Sequence, residues 1–165
     1  MTNSIVFSST GNTKLLAQQV WCGINPEDNR FFGVTDDEAL MADTIYVGFW
    51  TNMGTCDEKT AEFLKKVKNK NIFLYGSAGF GGSQEYFDKV INSIKQLLDP
   101  SVNVVGTFMC QGKMRMNVKQ RYEDNIAKGK DVQRNQMMLE NFNRALTHPD
   151  NNDLRELLKR VKESQ

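Results

Sequence analysis

Residues 4–20 read SIVFSSTGNTKLLAQQV, and this stretch decides the fold. Ile5, Val6 and Phe7 are consecutive apolar β-formers, as in a strand covered on both faces. They run into a polar turn, Ser8, Ser9, Thr10, Gly11, Asn12 and Thr13. Leu16, Val20 and Ile24 then recur at every fourth position, which predicts a helix. A turn between a strand's carboxyl end and a helix start exposes backbone N–H groups without helical partners. It also carries the positive end of the helix dipole, so it favours an anion. Gly11 lets the backbone approach that anion, Ser8, Ser9, Thr10 and Thr13 offer hydroxyls, and Asn12 offers an amide. A phosphate monoester suits such a cup. With no lysine in the turn and no GxGxxG, neither a metal-bound triphosphate loop nor a dinucleotide fingerprint is implied. Ser, Thr and Asn are also ordinary helix caps. The position of this turn, after the first strand of an α/β series, favours phosphate.

That series continues. NRFFGV (29–34), DTIYVGFW (43–50), NIFLYGSAG (71–79) and NVVGTFMC (103–110) read as strands. Between them DDEALM (36–41) is a brief helical turn. CDEKTAEFLKKVKN (56–69) is a helix with Asp57 as its N-cap and Ala61, Leu64 and Val67 on one side. SQEYFDKVINSIKQLLD (83–99) is a helix with Phe87, Ile91, Ile94 and Leu98 inward, stopped by Pro100. Strands alternating with helices imply right-handed crossovers and a doubly wound parallel sheet, whose ligands sit at the strands' carboxyl ends. Residues 111–133 have weaker periodicity and read as a partly helical excursion. The closing segment, NQMMLENFNRAL and NDLRELLKRVKES, is broken at THPD, where the Asp/Asn cluster after Pro149 can cap a second helix. One domain over residues 1–165 is expected.

Composition narrows the function classes. An apolar fraction of 39% and a charged fraction of 25% are those of a globular protein. No run approaches the roughly 18 apolar residues of a membrane span, and no signal peptide is apparent, so a cytoplasmic location is expected. Residues 1–110 carry 9 Lys+Arg against 12 Asp+Glu and residues 111–165 carry 12 against 8. That polarity is too weak to argue for nucleic acid. Cys22, Cys56 and Cys110 form no CxxC, and the one histidine, His148, cannot complete a zinc set, so no metal and three free thiols are expected. No nucleophile, acid or base is convincingly placed, which leaves no catalytic residue to name.

Residues 8–13, Ser-Ser-Thr-Gly-Asn-Thr, resemble the phosphate loop of flavodoxins, a hydroxyl residue, any residue, then Thr-Gly-Asn-Thr. Chain length and the order of β units match across residues 4–110. The resemblance implies a five-stranded parallel sheet of order 2-1-3-4-5 with helices on both faces. It also implies FMN as cofactor, with the phosphate held by Ser8 to Thr13. It places flavin-binding loops after the third and fourth strands, TNMGTCD (51–57) and SAGFGGSQEYF (77–87). Trp50 would stack on one ring face, or else plug the top of the sheet; Thr51, Asn52, Met53 and Gly54 would line the ring edge. Ala78, Gly79, Phe80, Gly81 and Gly82 would bring backbone N–H groups to the pyrimidine oxygens and tune the flavin. Phe80 is a candidate for the second ring face or an exposed loop aromatic, and Tyr86 is a poorer candidate.

GFWTNMGTCDEKTAEFLKK and CQGK are similar to a branch of the family that includes flavodoxin-like partners of bilirubin reductases. Typical flavodoxins are strongly acidic, which steers them to basic reductases; this chain carries a formal net charge of +1. The resemblance implies an electron carrier between a reductase and an acceptor enzyme, monomeric or weakly dimeric. A second reading is an FMN-dependent NAD(P)H or quinone oxidoreductase, its substrate pocket built from residues 111–133 with Lys113 or Arg115 meeting phosphate. A third is a binding module without flavin.

Overall fold

In the computed structural model, which describes residues 1–8, 11–81 and 83–165, the first strand is β1 (Asn3–Phe7). It pairs in parallel with β2 (Asn29–Val34) on one side and β3 (Thr44–Asn52) on the other. β3 pairs with β5 (Asn71–Ala78), and β5 with β6 (Asn103–Gln111), both parallel. The order β2-β1-β3-β5-β6 is the expected doubly wound sheet, with one addition. β4 (Thr55–Cys56) is a two-residue strand that folds back antiparallel on the end of β3.

Helices cover both faces because the strands are apolar on both. On one face α1 (Gly11–Gly23) and α6 (Asn151–Glu163) bury Leu16, Val20, Leu157 and Val161 against Ile5, Tyr46, Phe73 and Tyr75. On the other, α2 (Glu58–Lys66) and α3 (Gln84–Lys95) bury Phe63, Leu64, Val90 and Ile94 against Val47, Phe49, Ile72 and Leu74. Capping follows the sequence. Asp57 accepts from the Thr60 N–H at 3.2 Å, and Asp150 forms a capping box with Asp153 at the start of α6. The excursion is a helix pair, α4 (Met116–Ala127) and α5 (Val132–Ala145), packed on each other. No helix among the described residues is long and apolar enough to cross a membrane.

The centre of the sheet has an unusual fit. Gly48 of β3 lies opposite Tyr75 of β5, and Phe49 lies opposite Gly76 one position further on. A Cβ at either glycine would overlap the ring it faces. Each glycine therefore gives a fully buried ring its space, on opposite faces of the sheet. The Tyr75 hydroxyl donates to the Val6 carbonyl at 2.6 Å, tying β5 to β1.

Gly76→Ala should lower the unfolding free energy by about 1–3 kcal/mol, because the well-packed ring of Phe49 has nowhere to go. Urea denaturation measures this; an unchanged midpoint would show that the ring moves aside.

Candidate functional site

Three loops rise at the carboxyl ends of β1, β3 and β5. In the first, the Ser8 and Thr13 hydroxyls are 2.9 Å apart, and Thr13 Oγ1 donates to the Ser8 carbonyl at 2.9 Å. Both side chains are buried. They brace the turn from within. Ser9 and Thr10, expected beside them, lie outside the described residues. α1 carries no acidic residue in its first turn, so the positive end of its dipole is left uncompensated. Among the described residues a Cβ at Gly11 would meet nothing within 4 Å, so the space beside Gly11 is open.

The second loop is a tight hairpin. Asn52 pairs with Thr55, and Met53 (φ 51°) and Gly54 (φ 83°) form the two-residue connection. Two successive positive φ values are those of a type I′ turn, unusual for Met at the first position. Met53 is 97% exposed. Thr51 Oγ1 donates to the Ser77 carbonyl at 3.0 Å, which joins this loop to the third. In the third loop Gly81 has φ 91°, and a Cβ there would collide with the Tyr86 ring. Gly82 lies outside the described residues.

The segment after β6 links these loops. Asn12 Nδ2 donates to the Lys113 carbonyl at 2.9 Å, and Gly112 N donates to the Ala78 carbonyl at 3.0 Å. Gly112 is pressed so closely on Asn12 that a Cβ would stand 2.7 Å from its Nδ2. Asn141 of α5 donates to the Gly79 carbonyl at 2.8 Å, and Gln111 Nε2 reaches both that carbonyl and Asn141 Oδ1. The helix pair is thereby fixed over the third loop.

These contacts enclose a cavity of about 1000 Å³. Of the residues expected from sequence, Gly11, Asn12, Trp50, Thr51, Asn52, Met53, Gly54, Ala78, Gly79 and Phe80 all line it. Gly81 and Thr13 do not, and Ser8 lines a neighbouring cavity of about 790 Å³. Trp50 and Arg115 border both. Residues that sequence reading missed or undervalued complete the wall: Tyr86, Met114 (packed on Gly79), Arg121, the buried Tyr122 and Arg134. Among the described residues no carboxylate lines the larger cavity, whereas Lys113, Arg115, Arg121 and Arg134 all do. The smaller cavity has a mixed lining in which Asp36, Asp37, Asp57, Glu58 and Glu62 outnumber Lys59, Lys66 and Arg115.

His148 stands apart from both. Its Nδ1 is 2.7 Å from Asp153 Oδ2, within the capping box of α6, so the His148–Asp150–Asp153 cluster is accounted for as a helix start. The three cysteines are free. Burial, with the Asp57 carboxylate beside it, pushes the Cys56 thiol up to about 11. Burial also raises the Cys110 thiol, with Asp153 and Asp150 adding to the effect.

Residues 4–162 match the family described as Flavodoxin domain. The flavodoxin-like domain-containing protein BilS of Clostridium symbiosum (strain WAL-14163) is 34% identical over 172 residues, covering 93% of this chain and 90% of that protein. BilS of Clostridioides difficile (strain CD3) is 27% identical over 165 residues, covering 94% and 92%. Among solved structures, a flavodoxin from the domain Archaea aligns with a TM-score of 0.50 at 16% identity, covering 99% of this chain and 96% of that one. This last likeness is one of fold.

Cys22 is exposed while Cys56 and Cys110 are buried with raised thiols. At about pH 8 a thiol reagent should therefore label one cysteine of the native protein quickly and all three only in denaturant, read by mass spectrometry.

Proposed function

The chain belongs to the flavodoxin family, its cofactor is FMN, and we propose that it carries electrons between a reductase and an acceptor enzyme. A bilirubin reductase is the proposed acceptor, on the sequence's resemblance to that branch of the family. The observation that carries the reading is the cavity itself. It opens at the ends of β1, β3 and β5, beside Gly11 in the first turn of α1, and no carboxylate among the described residues would repel a phosphate there.

The residues fit the cofactor. The first turn of α1, with Ser9 and Thr10 preceding it, takes the phosphate. Ser8 and Thr13 hold the turn in shape through their mutual hydrogen bond. Lys113 and Arg115 supply the positive charge that the turn itself lacks, Lys113 being held there by the Asn12 amide on its carbonyl. Trp50, Thr51, Asn52, Met53 and Gly54 flank one side of the ring system, and Ala78, Gly79 and Phe80 the other. Bound FMN supplies one- and two-electron chemistry that no side chain of the site carries. The protein's part is to hold and orient it, and three unpaired thiols match a reducing cytoplasm.

A second reading, a nicotinamide-dependent oxidoreductase, is favoured by one observation: α4 and α5 wall the cavity and bring Arg121 and Arg134 to it. Purified protein loaded with FMN and mixed anaerobically with NADH or NADPH alone separates the two. The carrier keeps its visible flavin band, and the oxidoreductase bleaches within its turnover time.

The phosphate assignment has its own test. The protein should bind FMN at least about tenfold more tightly than riboflavin, and Arg115→Ala should erase about tenfold of that preference. Fluorescence titration with the two flavins measures it; equal affinities would remove the phosphate from the α1 start.

A further inference from the structure

The cavity carries more positive charge than the carrier reading uses, since Arg121 and Arg134 have no part in holding the phosphate. Lys113, Arg115, Arg121 and Arg134 line it, and among the described residues none of the four takes part in an ion pair. Arg121 only lies over the Tyr122 ring, at 5.7 Å. The acids of α4 are engaged along the helix instead: Glu123 with Lys119, and Asp124 with Gln120. Residues 111–134 carry seven Lys+Arg against three Asp+Glu in a chain of net charge +1. The positive charge is thus gathered at one place.

Exposed apolar side chains are set among these cations. Met53, 97% exposed, tips the hairpin, and Phe80, 39% exposed, borders the opposite loop. Met116, 63% exposed, follows Arg115 at the start of α4. Met137, 69% exposed, lies three residues after Arg134 on α5 and so shares its face. Met, Phe and Arg are the residue types enriched in protein interfaces, whereas isolated solvated cations are not. A small anionic ligand would need the cations but would leave the exposed Met53 and Met137 unused.

We propose that the cavity mouth is the docking surface for a redox partner protein whose own redox group is ringed by acidic residues. The inference rests on the electron-carrier reading and adds the partner's polarity. Charge complementarity would steer the encounter, and the apolar tips would seat against the partner once the charges had aligned it.

Two measurements test it. In the first, Met53→Cys is placed in a Cys22→Ser background, so that the engineered thiol is the one that reacts. Its rates with an anionic and a cationic methanethiosulfonate are each normalised to 2-mercaptoethanol. No flavin is needed. At about 10 mM salt the anionic reagent should be favoured about threefold or more. The preference should fade by about 300 mM and invert in Arg121→Glu/Arg134→Glu. A ratio at or below one, or one unchanged by the double charge reversal, overturns the proposal. In the second, FMN-loaded protein is reduced by an acidic plant-type ferredoxin or, once reduced, is oxidised by basic cytochrome c. Added salt should slow the first reaction several-fold and not the second. The opposite pattern overturns the proposal, while a chain that takes up no FMN counts against the carrier reading and leaves the thiol experiment to decide the polarity.

Discussion

The reciprocal contact between β3 and β5, a ring on a glycine in each direction, sets the geometry on which the site depends. Because side chains alternate between faces, a slip of one residue would drive Tyr75 and Phe49 into backbone that has a Cβ. The register is therefore fixed close to the loops that follow β3 and β5. Trp50 follows Phe49 directly near the end of β3, and Ala78, two residues after Gly76, ends β5. Tyr75 extends the constraint to β1 through Val6, so the turn before α1 stands in a defined relation to the other two loops. A ligand spanning the three loops meets a frame set by core packing.

The second determinant is the helix pair that follows β6. Its polar faces would make poor core, and Tyr122 is the one buried residue of α4. Besides the fully buried Phe142 and Ala145 of α5, a polar clasp holds it: Gln111, Asn141 and the Gly79 carbonyl satisfy one another. Such groups are costly if left unpaired and specific when paired. The clasp brings cations to one wall of a cavity whose neighbour, also bordered by Trp50, has a mixed lining. The near-neutral sum over the chain conceals a cavity whose charged lining residues are all cations.

This contrast also marks what could be read from sequence. Strands such as IYVGFW and helices such as that containing Phe87, Ile91 and Ile94 announce themselves because burial demands apolar periodicity, and they appear where expected. Gly11 and Asn12 were legible as the turn after the first strand, and Trp50 to Gly54 and Ala78 to Phe80 through the family resemblance; all of them line the cavity. The two-residue β4 was not, since it depends on Met53 taking a positive φ that nothing in its residue type requests. Nor were Arg121, Tyr122 and Arg134, because α4 and the start of α5 cover a cavity, and residues over a cavity follow no apolar stripe. Tyr86 was undervalued by counting residues along α3; the bend at Gly81 carries the loop back onto its ring.

Lys113 has a consequence beyond charge. Its carbonyl takes the amide of Asn12, and its N–H is given to the carbonyl of His148. One residue thus clasps the opening turn of the chain to the bend before its last helix. Opening either end releases one of the two bonds that fix Lys113, so the two should fray as one cooperative unit. A guest that steadies the amino-terminal turn must then, by mass action, suppress exchange of the amide at Lys113 and steady the carboxyl-terminal helix as well.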